Sequence, residues 1–348
     1  MAGIMDRFGY RISQSARVAW YAGHYALVRR MAGPTSPPDE PRFRPRRKGP
    51  GREAMARAIR ELFERDWRNI DAGLYALPHD LLPDPGRMLT NSGRFLRDAP
   101  RVNKRRLRRE HSEVSRIANP SRYPRYYLQN FHYQTDGWLS EESARLYDTQ
   151  VEVLFSGTAD AMRRQALVPL YEVLRGRDQR RMRLLDVASG TGRFLTFVKD
   201  NYPRLPVTAL DLSPDYLAET RRNLKRWSDV ETVEANAETM PLDDGSFDIV
   251  TCVYLFHELP PKVRKAVARE IARVLKPGGT FIFVDSLQYG DVEGWDGILE
   301  YFPVGFHEPY FTSYLNENLP DLFGAAGLEF QGSEPAFLTK IAVFRKGE

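Results

Sequence analysis

The stretch Leu184-Leu185-Asp186-Val187-Ala188-Ser189-Gly190-Thr191-Gly192-Arg193-Phe194 constrains this chain more than any other. It reads as a buried strand, a tight turn of small residues and the first turn of a helix. Gly190 and Gly192 admit unusual backbone angles and leave no side chain to obstruct a ligand. Phe194, Leu195 and Val198 then recur at helical spacing on one side. In an α/β sheet such a turn lies at a strand's carboxyl end, where nucleotide-like ligands bind. Asp186 ends the strand, where a cationic or hydroxyl-bearing ligand could use it. A dinucleotide fingerprint would place a third glycine at position 195. Leu195 stands there, and its bulk argues against close helix–strand packing under a pyrophosphate.

From Met182 onward strands and helices alternate, which implies a parallel sheet wrapped by helices. The pattern predicts strands near 183–188, 206–211, 231–235, 248–254 and 280–285. It predicts helices near 192–202, 214–227, 261–276 and 312–326. Two last strands, near 327–333 and 336–345, have no helix between them and should pair as a hairpin.

Five spaced segments then agree. Asp186-x-Ala188-x-Gly190-x-Gly192 is the first. Val207-Thr208-Ala209-Leu210-Asp211 is an apolar strand ending in a carboxylate 21 residues after Gly190, where an acid can accept both hydroxyls of a ribose. Ala235-Asn236-Ala237-Glu238-Thr239-Met240-Pro241-Leu242, Gly245-Ser246-Phe247-Asp248-Ile249-Val250 and Arg273-Val274-Leu275-Lys276-Pro277-Gly278-Gly279 complete the set. Over roughly residues 180–345 the chain resembles the ubiquinone/menaquinone-methylase-like branch of the class I, Rossmann-like, S-adenosylmethionine-dependent methyltransferases. Ala188 replaces the family's usual glycine, and Asn236 its usual aspartate. The resemblance implies an α/β fold with a mostly parallel sheet and a C-terminal antiparallel hairpin. It implies S-adenosylmethionine as cofactor, bound by Asp186, Ala188, Ser189, Gly190, Gly192, Asp211, Leu212, Asn236, Ala237 and Val253.

Three regions follow: a helical extension over 1–122, an aromatic-rich lid with helices over 123–179, and the cofactor-binding domain over 180–348. The net charge of +5 is unevenly spread. Residues 1–120 carry 25 Lys+Arg against 13 Asp+Glu, and the remainder 26 against 33. A helix over 10–31 places Ile12, Ala16, Trp20, Gly23, Leu27 and Met31 at helical spacing. It could pack on the protein's own core or a partner subunit, or lie on an anionic membrane surface. Residues 33–51, with six prolines, read as a linker. A helix near 52–72 follows, then irregular chain over 73–102 and a basic helix over 103–117. That helix lacks the interleaved aromatics of a stacking platform, so nucleic-acid binding is not expected. Residues 141–176 read as two helices broken at Ser156-Gly157-Thr158.

Cys252 is the sole cysteine, which excludes an intramolecular disulfide. No apolar run approaches the roughly 18 residues of a membrane span, and the chain reads as cytoplasmic, with peripheral membrane contact and homodimerisation both open roles for the extension. Two histidines are base candidates: His257, after the fourth strand, and His307, in the aromatic segment 287–311. Tyr133, Tyr254, Tyr301 and Tyr310 are candidate substrate contacts, and their aromatic setting suggests a hydrophobic or aromatic acceptor. No metal is expected, because His257, His307 and the nearby acids lack ligand spacing. The expected activity is methyl transfer by in-line displacement to a small apolar acceptor: a lipid, quinone or secondary metabolite. Aminocarboxypropyl transfer or cyclisation with the same cofactor, nucleic-acid methylation by the basic third, and a non-enzymatic cofactor-binding scaffold are the alternatives.

Overall fold

The computed structural model describes residues 4–32, 43–82, 84–117, 119 and 121–348. Seven strands form one sheet: β1 Leu184–Val187, β2 Val207–Asp211, β3 Val230–Glu234, β4 Phe247–Val253, β5 Leu275–Ser286, β6 Leu328–Ala336 and β7 Thr339–Lys346. Their order is β3-β2-β1-β4-β5-β7-β6. The first five run parallel, with Leu184 opposite both Val207 and Ile249. β7 is antiparallel to β5 and β6, so the two last strands close the edge as a hairpin. Strand order reverses between β1 and β4, and a crevice opens there at the strands' carboxyl ends. β1 is buried along its whole length, as a strand covered on both faces must be.

The N-terminal third is helical: α1 Ile4–Ala32, α2 Arg52–Asp71 and α3 Pro85–Arg108. Its side chains join the sheet's core. Tyr10, Leu62, Trp67, Ile70 and Tyr75 belong to one apolar cluster with Leu184, Val207 and Phe281. The polar anchor is Asp66, which is fully buried. It accepts hydrogen bonds from Tyr10 (2.5 Å), Tyr75 (2.8 Å), Arg164 Nε (3.1 Å) and Nη2 (2.5 Å), and Gln165 (3.3 Å).

The sequence reading needs several corrections. Residues 85–102 are not irregular but belong to α3. Asp84 caps it by accepting from the Arg87 N–H (2.6 Å), and Pro85 takes the first turn, where its missing N–H is harmless. Proline and glycine there mark a helix start rather than a loop. The basic run is not one helix over 103–117: α3 ends where Arg109 turns left-handed at φ +54°, and only Val114–Ile117 resumes. The region 312–326 splits into Phe311–Leu315 and Leu319–Gly324, because Asn318 and Pro320 start a new helix. Beyond the expected break, the second helix of 141–176 divides again, into Ala159–Arg164 and Leu167–Leu174.

Residues 33–42 of the expected linker lie outside the described residues. The rest of that segment is docked rather than loose. The Arg46 N–H donates to Glu300 (2.6 Å), Arg47 pairs with Asp296 (3.0 Å), and the Gly297 N–H donates to the Lys48 carbonyl (2.9 Å). A Cβ on Gly297 would sit 2.4 Å from the Arg47 carbonyl oxygen, so only glycine permits this approach. The face of α1 also differs from expectation. Ile12, Ala16, Gly23 and Leu27 are exposed, whereas Tyr10, Ser13, Gln14 and His24 are buried. Polar partners in the fold override the hydrophobic period there. Among the described residues no helix is long and apolar enough to cross a membrane.

Candidate active site

The turn after β1 is held in an unusual shape by its own residues. Ala188, Gly190 and Gly192 all have positive φ, at +56°, +57° and +71°. Gly192 caps helix Arg193–Asn201, and a Cβ there would meet Thr220 Cγ2 at 2.9 Å. Gly190 faces the other way, and its missing Cβ would point into open space. Asp211, at the end of β2, fixes the turn by accepting from the Gly190 N–H (2.8 Å) and the Ser213 N–H (2.9 Å). Burial pushes Asp211 up to about 6, against the lowering effect of those two bonds. Asp186 lies beneath the turn, accepting from the Thr251 hydroxyl (2.6 Å), and burial raises it to about 7.

This turn forms the floor of a cleft of about 820 Å³. Ala188, Gly190, Leu210, Asp211 and Leu212 line one side. Ala235, Asn236, Ala237 and Val253 line a second, and Tyr126, Tyr127, Phe131 and Trp138 cover it. Asn236 is braced through its carbonyl by the Glu238 N–H (2.9 Å), and Glu238 accepts from Tyr126 (2.8 Å). A second, mainly apolar cavity of about 1360 Å³ adjoins the first. α1 and α3 supply Tyr25, Val28, Phe95, Ala99 and Val102 to it. The segment after β5 supplies Phe302, Phe306 and Phe311. Trp138, Tyr147, Tyr254 and Glu258 line both cavities and so form the boundary between them.

A methyltransferase-domain family model matches residues 184–279, the segment that builds the turn, β2 to β4 and the helix before β5. The chain is 36% identical over 160 residues to a ubiquinone/menaquinone biosynthesis C-methyltransferase of Methylobacterium nodulans, covering 45% of this chain and 61% of that protein. It is 33% identical over 174 residues to a demethylmenaquinone methyltransferase of Listeria monocytogenes, covering 46% of this chain and 72% of that protein. The chain belongs to the ubiquinone/menaquinone-methylase-like class I methyltransferases. It spans between 46% and 61% of the length of the first of these relatives and of two more, demethylmenaquinone methyltransferases of Thermus thermophilus and Chlorobaculum tepidum. A solved S-adenosylmethionine-dependent methyltransferase from Aquifex aeolicus is 19% identical, with a TM-score of 0.37 over 47% of this chain and 81% of that one.

The family's cofactor is S-adenosylmethionine, and the first cleft fits it. The open space over Gly190 admits a ligand against bare backbone. Asp211 keeps lone pairs for a diol, and Asn236 presents an amide beside apolar walls. Of the ten residues expected to hold the cofactor, seven line the cleft: Ala188, Gly190, Asp211, Leu212, Asn236, Ala237 and Val253. Asp186, Ser189 and Gly192 do not. Asp186 is instead held by Thr251 beneath the turn and Gly192 packs against Thr220, a division that spacing alone cannot reveal.

The four substrate tyrosines separate as well. Tyr254 lines both cavities, with its hydroxyl 2.6 Å from Thr339 Oγ1. Tyr133, Tyr301 and Tyr310 line neither. Tyr133 holds Arg105 through its carbonyl (3.0 Å), Tyr301 packs on Phe43, and the Tyr310 hydroxyl accepts from Gln129 (3.3 Å). His257 lines the apolar cavity. Its burial favours the neutral ring, but Asp285 at 2.6 Å, with Glu258 and Glu308, raises it to about 9. His257 is thus charged at neutral pH and is no free base. His307 lines neither cavity. It stacks on His111 with ring centroids 4.1 Å apart, and burial and neighbouring histidines lower it to about 4.

Residues missed from the sequence are Tyr126, Tyr127, Trp138 and Tyr147 over the cleft, and His132 and Glu308 beside His257. The aromatic density of 123–139, read above as a lid, was the signal for Tyr126, Tyr127 and Trp138, whereas Tyr147 sits in helix Glu141–Leu154 with no such mark. Nothing in the sequence links His132 to His257, which fold together across 125 positions.

Proposed function

We propose that this protein transfers a methyl group from S-adenosylmethionine to an apolar acceptor of the quinol class. The observation that carries this reading is the boundary shared by the two cavities. A polar-floored cleft that fits the cofactor adjoins a larger apolar cavity across Trp138, Tyr147, Tyr254 and Glu258, which in this reading form the passage for the methyl group. The relatives' names supply the acceptor class, and the aromatic and aliphatic lining suits it. When bound, the cofactor supplies an electrophilic methyl on a sulfonium. The chain's own part is positioning, the main demand of an in-line displacement. Asp211 and Asn236 orient the nucleoside end. Trp138, Tyr147 and Tyr254 narrow the passage and exclude water. The acceptor forms its bond to the methyl carbon as the carbon–sulfur bond breaks, and it must give up a proton. Glu258 is the carboxylate common to both cavities and receives it. The charged His257 steadies the negative oxygen that develops on the acceptor.

The same reading gives the outward stripe of α1 a use. Phe8, Ile12 and Leu27 are exposed beside Arg7 and Arg11, while Tyr25 and Val28 of the same helix line the apolar cavity. An acceptor dissolved in an anionic lipid surface would enter beside this helix.

Calorimetric titration with S-adenosylhomocysteine tests the cofactor assignment. Wild type should bind, and Asp211→Ala should bind at least tenfold more weakly, since two charge-assisted bonds of about 1.5–3 kcal/mol each are lost. Equal binding by both, or none by wild type, refutes it. Product mass after incubation with a prenylated naphthoquinol separates methyl from aminocarboxypropyl transfer.

A further inference from the structure

Four polar side chains from three well-separated segments converge on the wall of the apolar cavity: His132, the adjacent His257 and Glu258, and Glu308. The Nε2 atoms of His132 and His257 each lie 3.8 Å from Oε1 of Glu258. One donor atom from each of these three lies within 4.8 Å of the others. Glu308 directs its Oε1 to within 3.2 Å of His132 Nε2. Its other oxygen is buried without a hydrogen-bond partner, in a side chain only 2% exposed. Behind the cluster, Asp285 grips Nδ1 of His257 at 2.6 Å and leaves Nε2 facing inward.

We infer that His132, His257 and Glu258 bind a divalent transition-metal ion, with the orphaned carboxylate of Glu308 as a fourth donor. Three features support this. Donors placed about 2.0–2.2 Å from a tetrahedral ion stand about 3.4 Å from one another. The two 3.8 Å separations exceed that by a few tenths of an ångström, and the pair of imidazoles, within 4.8 Å, closes with movements of up to about 1.4 Å. The charge balance is the second feature. Asp285, Glu258 and Glu308 set three carboxylates against two imidazoles in an apolar wall, where an unpaired carboxylate oxygen is costly to bury. A divalent cation offsets two of those three negative charges and gives the unpartnered oxygen of Glu308 a partner. The third is the hydrogen bond that the far ring nitrogen of His257 donates to the Asp285 carboxylate, the arrangement that orients metal-bound histidine. Imidazole and carboxylate donors without thiolate suit Zn²⁺, Fe²⁺ or Mn²⁺.

The inference rests on the acceptor reading above and sharpens it. The ion would lie beside the passage, where it would hold an acceptor hydroxyl as its anion. Acceptors with a ring hydroxyl are then preferred over those without one. Coordination would lower the hydroxyl's pKa so that its proton leaves to solvent before transfer. His257 would shed its Nε2 proton to solvent on binding the ion, so that Glu258 and His257 act as ligands in place of proton acceptor and charged partner.

The test is uptake of Zn²⁺ and Co²⁺ by chelator-stripped full-length protein, followed by calorimetry and by Co²⁺ visible absorption. S-adenosylhomocysteine binding is measured in parallel. Expected is one ion per chain, with affinity at least tenfold lower in both His132→Ala and Glu308→Gln and the Co²⁺ bands altered. His132 is on the cavity wall and 30% exposed, so its removal spares the core, and a normal cofactor titration verifies each variant's fold. No saturable uptake, or uptake equal in wild type and both variants, overturns the inference. Cofactor binding without ion uptake would refute the ion alone, whereas absent cofactor binding would refute the methyltransferase reading itself.

Discussion

Replacing Asp66 tests how firmly the N-terminal helices are built into this protein. Asp66 receives five hydrogen bonds, two of them from Arg164, whose side chain is 3% exposed. Asp66→Leu leaves that guanidinium buried without its counter-charge. Breaking one side of such a pair costs about 3–5 kcal/mol. For a chain of this size that lowers the melting temperature by roughly 4–7 °C. Replacing both partners with apolar residues removes the stranded charge. Asp66→Leu/Arg164→Met should therefore recover to within about 2 kcal/mol of wild type. Urea unfolding of wild type, both single variants and the double variant completes the cycle, and the coupling term isolates the pair. A loss below about 1 kcal/mol in Asp66→Leu would refute the reasoning. So would a double variant whose loss equals the sum of the singles, because the helices would then be held by apolar contact alone.

Other outcomes follow from the same geometry. Gly192→Ala should destabilise by about 2–4 kcal/mol in thermal melts, through left-handed strain and the clash with Thr220. Gly190→Ala should cost only about 1–2 kcal/mol, since its Cβ meets nothing, yet weaken cofactor binding more; equal effects at the two positions would count against the assigned division. Asp186 is raised to about 7 in the fold against an unfolded value near 3.8. The folded state therefore holds the extra proton between those values, and stability falls as pH rises from about 4 to about 7. Asp186→Asn should flatten that fall in urea titrations of the cofactor-free protein, and parallel profiles would contradict it. Sedimentation with phosphatidylglycerol vesicles should carry wild type down, and Phe8→Ser/Ile12→Ser should stay in solution. Equal sedimentation would remove the lipid-surface role from α1.

The sequence alone determined the C-terminal half. Strand and helix period, the small-residue turn at Ala188–Gly192 and the acid at Asp211 are local signals, and each constrains the backbone within a few residues of itself. The parallel sheet with its closing hairpin, and the side of the cleft built by Ala188, Gly190, Asp211, Leu212, Asn236, Ala237 and Val253, followed from them, because a parallel sheet leaves few ways to arrange such elements. Tertiary structure decided the rest. Whether Asp186 touches a ligand or braces a turn depends on which side of the backbone the cleft opens. Which face of α1 is buried depends on Asp66 and Leu81, partners more than 50 positions away that override its apolar stripe. The start of α3 hid behind proline and glycine, which cap a helix as readily as they end one. The apolar cavity and the His132–His257–Glu258–Glu308 cluster join chain segments far apart in sequence. No periodicity records such contacts, because side chains meet there only after the whole chain has packed.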